Sequence, residues 1–154
     1  MRVTIRAAHP QDAKAVSKMI REELATPVSA SDTAHLLAKL CVSPRHRVFV
    51  AVVDELVVGF LHACDYDSIL SHYQIKHITA MAVSHSYRRV GIGKALLRRA
   101  ERWAAESGAA GVALEAPVLQ TDAHAFFAAC GYDSTQHALH YEKMLESGTK
   151  SAQL

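Results

Sequence analysis

The sequence predicts a mixed α/β sheet with helices on both faces, and three observations carry that expectation. Short apolar runs rich in β-branched residues alternate with segments whose apolar residues recur every three or four positions. Two such runs, Val48 to Val53 and Leu56 to Cys64, are separated only by Asp54-Glu55, which reads as a hairpin. A third run, Ile78 to Val83, passes through a polar loop and two glycines straight into a helix.

Taken in order, Val3 to Ala7 alternates as a strand, with Val3 and Ile5 on one face. Pro10 and Asp12 open a helix whose apolar face is Ala13, Val16, Ile20 and Leu24, and Pro27 interrupts the chain. Ser29 or Ser31 caps a second helix bearing Leu36, Leu37 and Leu40, and Pro44 ends it. The hairpin follows, and Asp65, Asp67, Ser68 and Ser71 make a polar connection to the strand ending at Val83. In the next helix Ile92, Leu96, Ala100 and Trp103 step by four, four and three, one helical face, while Lys94, Arg98, Glu101 and Arg102 fall mainly on the other. Ser107-Gly108 stops that helix, and Gly111 to Ala116 reads as a buried strand. Thr121 or Asp122 caps a last helix carrying Ala123, Phe126, Phe127 and Cys130, closed by Gly131 as a left-handed residue. Tyr132 and Ala138 to Leu145 are expected to be the final strands, giving a single domain over 1–146 and a polar tail over 147–154.

Half of the 154 residues are hydrophobic, enough for one core, and charged residues make up 21%, which argues against disorder. The net charge is only +2, and the cations gather near one loop instead of forming a long run, so no nucleic-acid partner is expected. The first residues lack the apolar core of a signal peptide, and no run of about 18 apolar residues suggests a membrane span. Cys41, Cys64 and Cys130 are odd in number and widely spaced, which points to reduced thiols and a cytoplasmic setting. Ten histidines invite a metal reading, but no ligand spacing supports one, so no metal is expected.

The chemistry points to Arg88-Arg89-Val90-Gly91-Ile92-Gly93. The first turn of a helix has N–H groups without intrahelical acceptors and carries partial positive charge, so a phosphate fits there. Glycines let an anion approach the backbone, and Arg88, Arg89 and Lys94 add positive charge. The stretch is not a Walker A loop, because Arg88 and Ala95 stand where a glycine and a hydroxyl residue are needed. Nor is it a dinucleotide fingerprint, because Leu96 stands where its third small residue belongs.

The motif, between a strand and a helix, resembles the coenzyme-A signature Arg/Gln-x-x-Gly-x-Gly/Ala of the GNAT N-acetyltransferases. The element order matches as well. The resemblance implies a mostly antiparallel sheet and acetyl-CoA as acyl donor, attacked directly by a primary amine in a ternary complex. It implies coenzyme contacts from Met81, Ala82 and Val83 on the strand and from Arg88, Arg89, Val90, Gly91, Ile92, Gly93 and Lys94 in the loop. Gln120, where many members have asparagine, His124 and Phe127 extend the list. The backbone N–H of Val83 is the implied oxyanion donor.

The attacking amine must be neutral, whereas a free alkyl ammonium has a pKa of about 10.4, so a base helps. Glu115 is the candidate: it ends an apolar strand, and a glutamate at the matching position serves as base in one branch of the family. Phe127 stands where the family often has a tyrosine that protonates the leaving thiolate, and phenylalanine cannot donate a proton. Either the thiolate leaves unaided, or Tyr132, Tyr141 or a nearby histidine substitutes. That departure motivates an alternative, a non-catalytic acetyl-CoA sensor. Asp65 and Asp67, with Glu22 and Glu23, could attract a cationic amine, though plain loop and helix charges are the simpler account. The acceptor is left open between small molecules and peptides, as is homodimer formation.

Overall fold

A computed structural model describes residues 1–146; the stretch 147–154, expected to be a polar tail, lies outside the described residues. The chain divides into two units, 1–115 and 116–154.

The first unit is built on a five-stranded open sheet in the order β1-β2-β3-β4-β5. Its strands are β1 (Thr4–Ala7), β2 (His46–Val53), β3 (Leu56–Tyr66), β4 (Ile75–Val83) and β5 (Gly111–Leu114). The first three pairings are antiparallel and only β4–β5 is parallel. The expected hairpin is present. Asp54 and Glu55 have φ of 48° and 65°, the left-handed pair that matches the twist of a two-residue hairpin.

Helices cover both faces. On one lie α1 (Ala13–Glu23) and α2 (Ala30–Cys41), where Val16, Met19, Leu37 and Leu40 bury against Val48, Val50, Phe60 and Ala82. Leu24 and Leu36, both expected in these apolar faces, are instead exposed, because α1 ends at Glu23 and Leu36 lies on the outer side of α2. Of the two serines that could cap α2, Ser29 does so, its hydroxyl accepting from Asp32 N–H at 3.0 Å. On the opposite face lies α3 (Ile92–Glu106), which buries Ile92, Leu96, Leu97, Ala100, Trp103 and Ala104. It approaches so closely that a Cβ on Gly59 would stand 3.2 Å from Leu96 and 3.3 Å from Ile92.

Two ion pairs tie the sheet to its surroundings. Arg6 grips Asp12 with both guanidinium NH2 groups, at 2.8 and 2.9 Å, fixing β1 to the start of α1. Lys76, 4% exposed, donates to Asp65 across the β3–β4 ladder and lies 4.6 Å from the Trp103 ring centroid.

In the second unit α4 spans Thr121–Ala129. Its N-cap is Gln120, not Thr121 or Asp122, and no side chain caps it. Gly131 has φ of 91°, the left-handed closure expected. The final strands expected at Tyr132 and at 138–145 are not formed; those residues are irregular and mostly exposed. A strand needs a ladder partner to satisfy its backbone, and this unit has none among its described residues.

Candidate functional site

The loop before α3 is shaped by two residues in the left-handed region, Arg89 at φ 63° and Gly91 at φ 89°. For arginine that conformation is strained, a mark of functional loops. Gly91 is the N-cap of α3, and a Cβ added there would meet nothing within 4 Å. The space in front of the helix is therefore open. The first intrahelical bond runs from Ala95 N–H to Gly91 O at 3.0 Å, which leaves the N–H groups of Ile92, Gly93 and Lys94 without acceptors inside the helix. The side chain of Ile92, by contrast, is a core anchor at 1% exposure, so only its backbone can serve an anion.

Arg88 behaves differently from its neighbours. Its guanidinium donates to Glu23 Oε1 at 2.7 Å and to Val83 O at 3.4 Å. Glu23, the last residue of α1, also accepts from His85 N–H at 3.2 Å and pairs with His85 Nδ1 at 3.0 Å. Burial opposes the charge on Glu23, but the His85 hydrogen bonds and the Arg88 and His85 charges outweigh it and hold the carboxyl below its ordinary range. Glu23 is thus a half-buried anchor for the loop, not a lure for amines. Asp65 and Asp67 are likewise engaged, by Lys76 and by Arg45 at 2.8 Å. Among the described residues, the loop cations without a hydrogen-bond or ion-pair partner are Arg89 and Lys94.

Beside this loop β5 stops short, and the open edge of β4 beyond its end is the fork. The β4–β5 ladder ends at Ile78↔Leu114, while β4 runs on to Val83 paired only with β3. Backbone groups alternate sides along an antiparallel strand. Ser84 N–H donates to Val58 O at 2.8 Å, so Ser84 and Ala82 turn theirs to β3. Met81 and Val83 therefore turn theirs to the open edge. Glu115 directly follows Leu114, the last residue of β5, so it stands at the β5 side of this open edge, and it is exposed. On one face α3 packs against both β4 and β5, and on the other α1 packs against β4.

A bulge sits where the fork begins. His62 pairs with Ala80 and Ala63 with Ile78, which leaves Thr79 as the extra residue of β4. Its hydroxyl lies 2.7 Å from His62 Nδ1 and 3.3 Å from His62 O, and His62 Nε2 lies 2.9 Å from His46 Nδ1. Burial, with His46 beside it, pushes the His62 imidazole down to about 4, so it is neutral near pH 7. The sequence reading missed this group. Its members come from three strands and are 16 or 17 residues apart, and the bulge that joins them leaves no periodic signal.

In the second unit, His124 Nε2 donates to Pro117 O at 2.8 Å and to Val118 O at 3.1 Å, tying the helix to its own preceding loop. The Gln120 side chain is exposed. Phe127 packs edge-on against Phe126 and against Tyr132, with centroids 5.2 and 6.0 Å apart, so a phenol lies close to the ring that lacks one. Among the described residues no group of three or more His, Cys, Asp or Glu could hold a metal ion, and no helix is long and apolar enough to cross a membrane.

The open edge of β4 and the helix start beside it, with its unpaired N–H groups, have the layout expected of an acyl-coenzyme-A transferase. Residues 15–132 match the Acetyltransferase (GNAT) family, and the chain belongs to it. An aminoglycoside N(6')-acetyltransferase type 1 of Stenotrophomonas maltophilia is 27% identical over 147 residues, covering 93% of this chain and 94% of that protein. Among solved structures, an aminoglycoside acetyltransferase from an uncultured soil metagenomic sample, in complex with sisomicin, superposes with a TM-score of 0.77 at 24% identity. It covers 94% of this chain and 97% of its own. The aminoglycoside N-acetyltransferase AAC(6')-Iy in complex with CoA gives a TM-score of 0.82 at 18% identity, over 94% and 96%. The chain is an acetyl-CoA-dependent N-acetyltransferase. The non-catalytic sensor suggested by Phe127 is not favoured.

Proposed function

We propose that the acceptor is a primary amine on a polyamino sugar of the aminoglycoside kind. The observation that carries this is the match, along nearly the whole of both chains, to an aminoglycoside acetyltransferase.

The residues present fit the coenzyme. Pyrophosphate would lie at the free N–H groups of Ile92, Gly93 and Lys94, with Gly91 giving it room and Arg89 and Lys94 neutralising it. The pantetheine arm would run along the open edge of β4 past Met81 and Val83, and bound acetyl-CoA supplies the activated thioester. Glu115 on the opposite lip acts as base toward the incoming ammonium. The amine nitrogen then attacks the thioester carbon, and the Val83 N–H, facing the same edge, donates to the oxyanion. The C–S bond breaks and the thiolate takes a proton. Tyr132 is the proposed acid, supported by its ring contact with Phe127, where the family often has tyrosine. Gln120, His124 and Phe127 are kept as coenzyme contacts on the family match alone. For Arg88 a coenzyme role requires release from Glu23; its role in this structure is to hold the loop.

The test is thiol release from acetyl-CoA with sisomicin, spermidine and an alanine-terminated peptide. Sisomicin should give the highest kcat/KM. If sisomicin is inert while either other amine is turned over, the acceptor assignment is wrong and the acetyl-transfer chemistry stands.

A further inference from the structure

Acetylation of an ammonium has a proton balance that one carboxylate does not close. The cation loses one proton before it can attack. After the N–C bond forms, the nitrogen is again cationic and must lose a second proton as the C–S bond breaks. Glu115, placed on the β5 lip, accounts for the first.

On the β4 lip, one residue beyond the last β4–β5 pair, the bulge turns Thr79 Oγ1 onto His62 Nδ1 at 2.7 Å, and His62 Nε2 meets His46 Nδ1 at 2.9 Å. Both ring nitrogens of His62 are thus occupied, one toward the fork and one away from it. His62 and His46 continue the rows Phe60–His62 and Val50–Val48–His46 on the sheet face that bears α1 and α2. On the other face α3 packs against both β4 and β5, so an incoming amine would use this one.

We infer that Thr79, His62 and His46 form a proton wire that drains the second proton from the acetylated nitrogen out of the fork. This rests on the acetyl-transfer reading above. The nitrogen gives its proton to Thr79 Oγ1, Thr79 passes its own to His62 Nδ1, and the proton on His62 Nε2 moves to His46 Nδ1. His46 is half-exposed and returns the proton to water. No electrons change hands, and the released thiolate is protonated separately. The low basicity of His62 suits this part: a conduit that held the proton would stall the next turnover. Thr79 is the member that touches substrate; His62 and His46 act through it.

The test is made on exposed Thr79, since half-buried His62 packs within the sheet and altering it risks the fold. Thr79→Val keeps the β-branched shape and removes the hydroxyl, while Thr79→Ser restores it. With acetyl-CoA and sisomicin, and with whichever panel amine the wild type turns over fastest, Thr79→Val should lower kcat about 10²-fold, the low end of general acid–base help. KM and coenzyme affinity should be unchanged, Thr79→Ser should recover most of kcat, and the D2O effect on kcat should shrink in Thr79→Val. A packing role would move neither the isotope effect nor the serine rescue. Unchanged kcat, a defect confined to KM, or a serine variant as slow as valine would each overturn the wire while acetyl transfer stands. A wild type that releases no thiol with any amine would overturn both.

Discussion

The two lips of the fork carry different kinds of residue, and the sequence discloses them unequally. Glu115 is legible because a carboxylate ending an apolar run stands out. Thr79, His62 and His46 are not, because each is ordinary in its own strand and only the bulge joins them. Glu23 was visible as an acid but not as a partner of Arg88, 65 residues away. Glu115→Gln keeps size and removes basicity, so turnover should fall by about 10²- to 10⁴-fold with coenzyme affinity nearly unchanged. The defect should shrink at high pH, where the amine is already neutral; equal thiol release by both proteins from pH 6 to 10 would remove Glu115 as the base. For the acid, Tyr132→Phe should slow turnover, and Phe127→Tyr added to it should restore part of the rate. Loss of the native circular-dichroism spectrum in the single variant would instead mark the Tyr132 hydroxyl as structural.

At the level of elements, strands and helices were readable to within a few residues wherever local pattern and packing agree. The hairpin at Asp54-Glu55 and the α3 face are examples. The pattern misleads where an element depends on a distant ladder: 138–145 has strand-like composition but no strand to pair with among the described residues of its own unit. β4 begins at Ile75, three residues before the expected Ile78, because Asp65 and Lys76 pair across the ladder and keep polar residues in the strand. The loop before α3 makes a sharp prediction. Gly91→Ala should fold despite its positive φ, since its Cβ meets only open space. Gly91→Asp also puts negative charge where pyrophosphate would lie, and should abolish the rise in Tm that acetyl-CoA gives the wild type. A shift retained in the aspartate variant would sink the phosphate-loop assignment. On the opposite face, Ser29→Ala removes the α2 cap and should cost about 1 kcal/mol in denaturant unfolding, with turnover intact.

For the molecule as a whole, acid should erode stability in two stages. The His62 imidazole titrates near 4 in the fold against an ordinary 6.5. Between those values the unfolded chain binds a proton that the native chain refuses. The contribution is therefore full above pH 6.5 and is lost as the pH falls toward 4. Asp12 and Glu23 act lower. Burial opposes both charges, yet the Arg6 and His9 bonds to Asp12 and the His85 and Arg88 contacts to Glu23 keep both pKa values below ordinary. Their contribution is present above the ordinary carboxylate range and disappears as the pH drops through the lowered values. Denaturant unfolding from pH 7 to 4 should show a steeper loss for the wild type than for His62→Gln. Parallel curves would mean that His62 is as basic in the fold as in the unfolded chain.

The β4–β5 ladder joins four residue pairs, and among the described residues β5 has no strand on its other edge. In amide hydrogen exchange, the N–H groups of 112–114 should open at lower free energy than those of β2 and β3, which are flanked on both sides. A ligand wedged along the free edge of β4 would restrict this breathing. Occupancy of the fork would then be visible as slowed exchange on the strand facing the ligand, in a protein making no product at all.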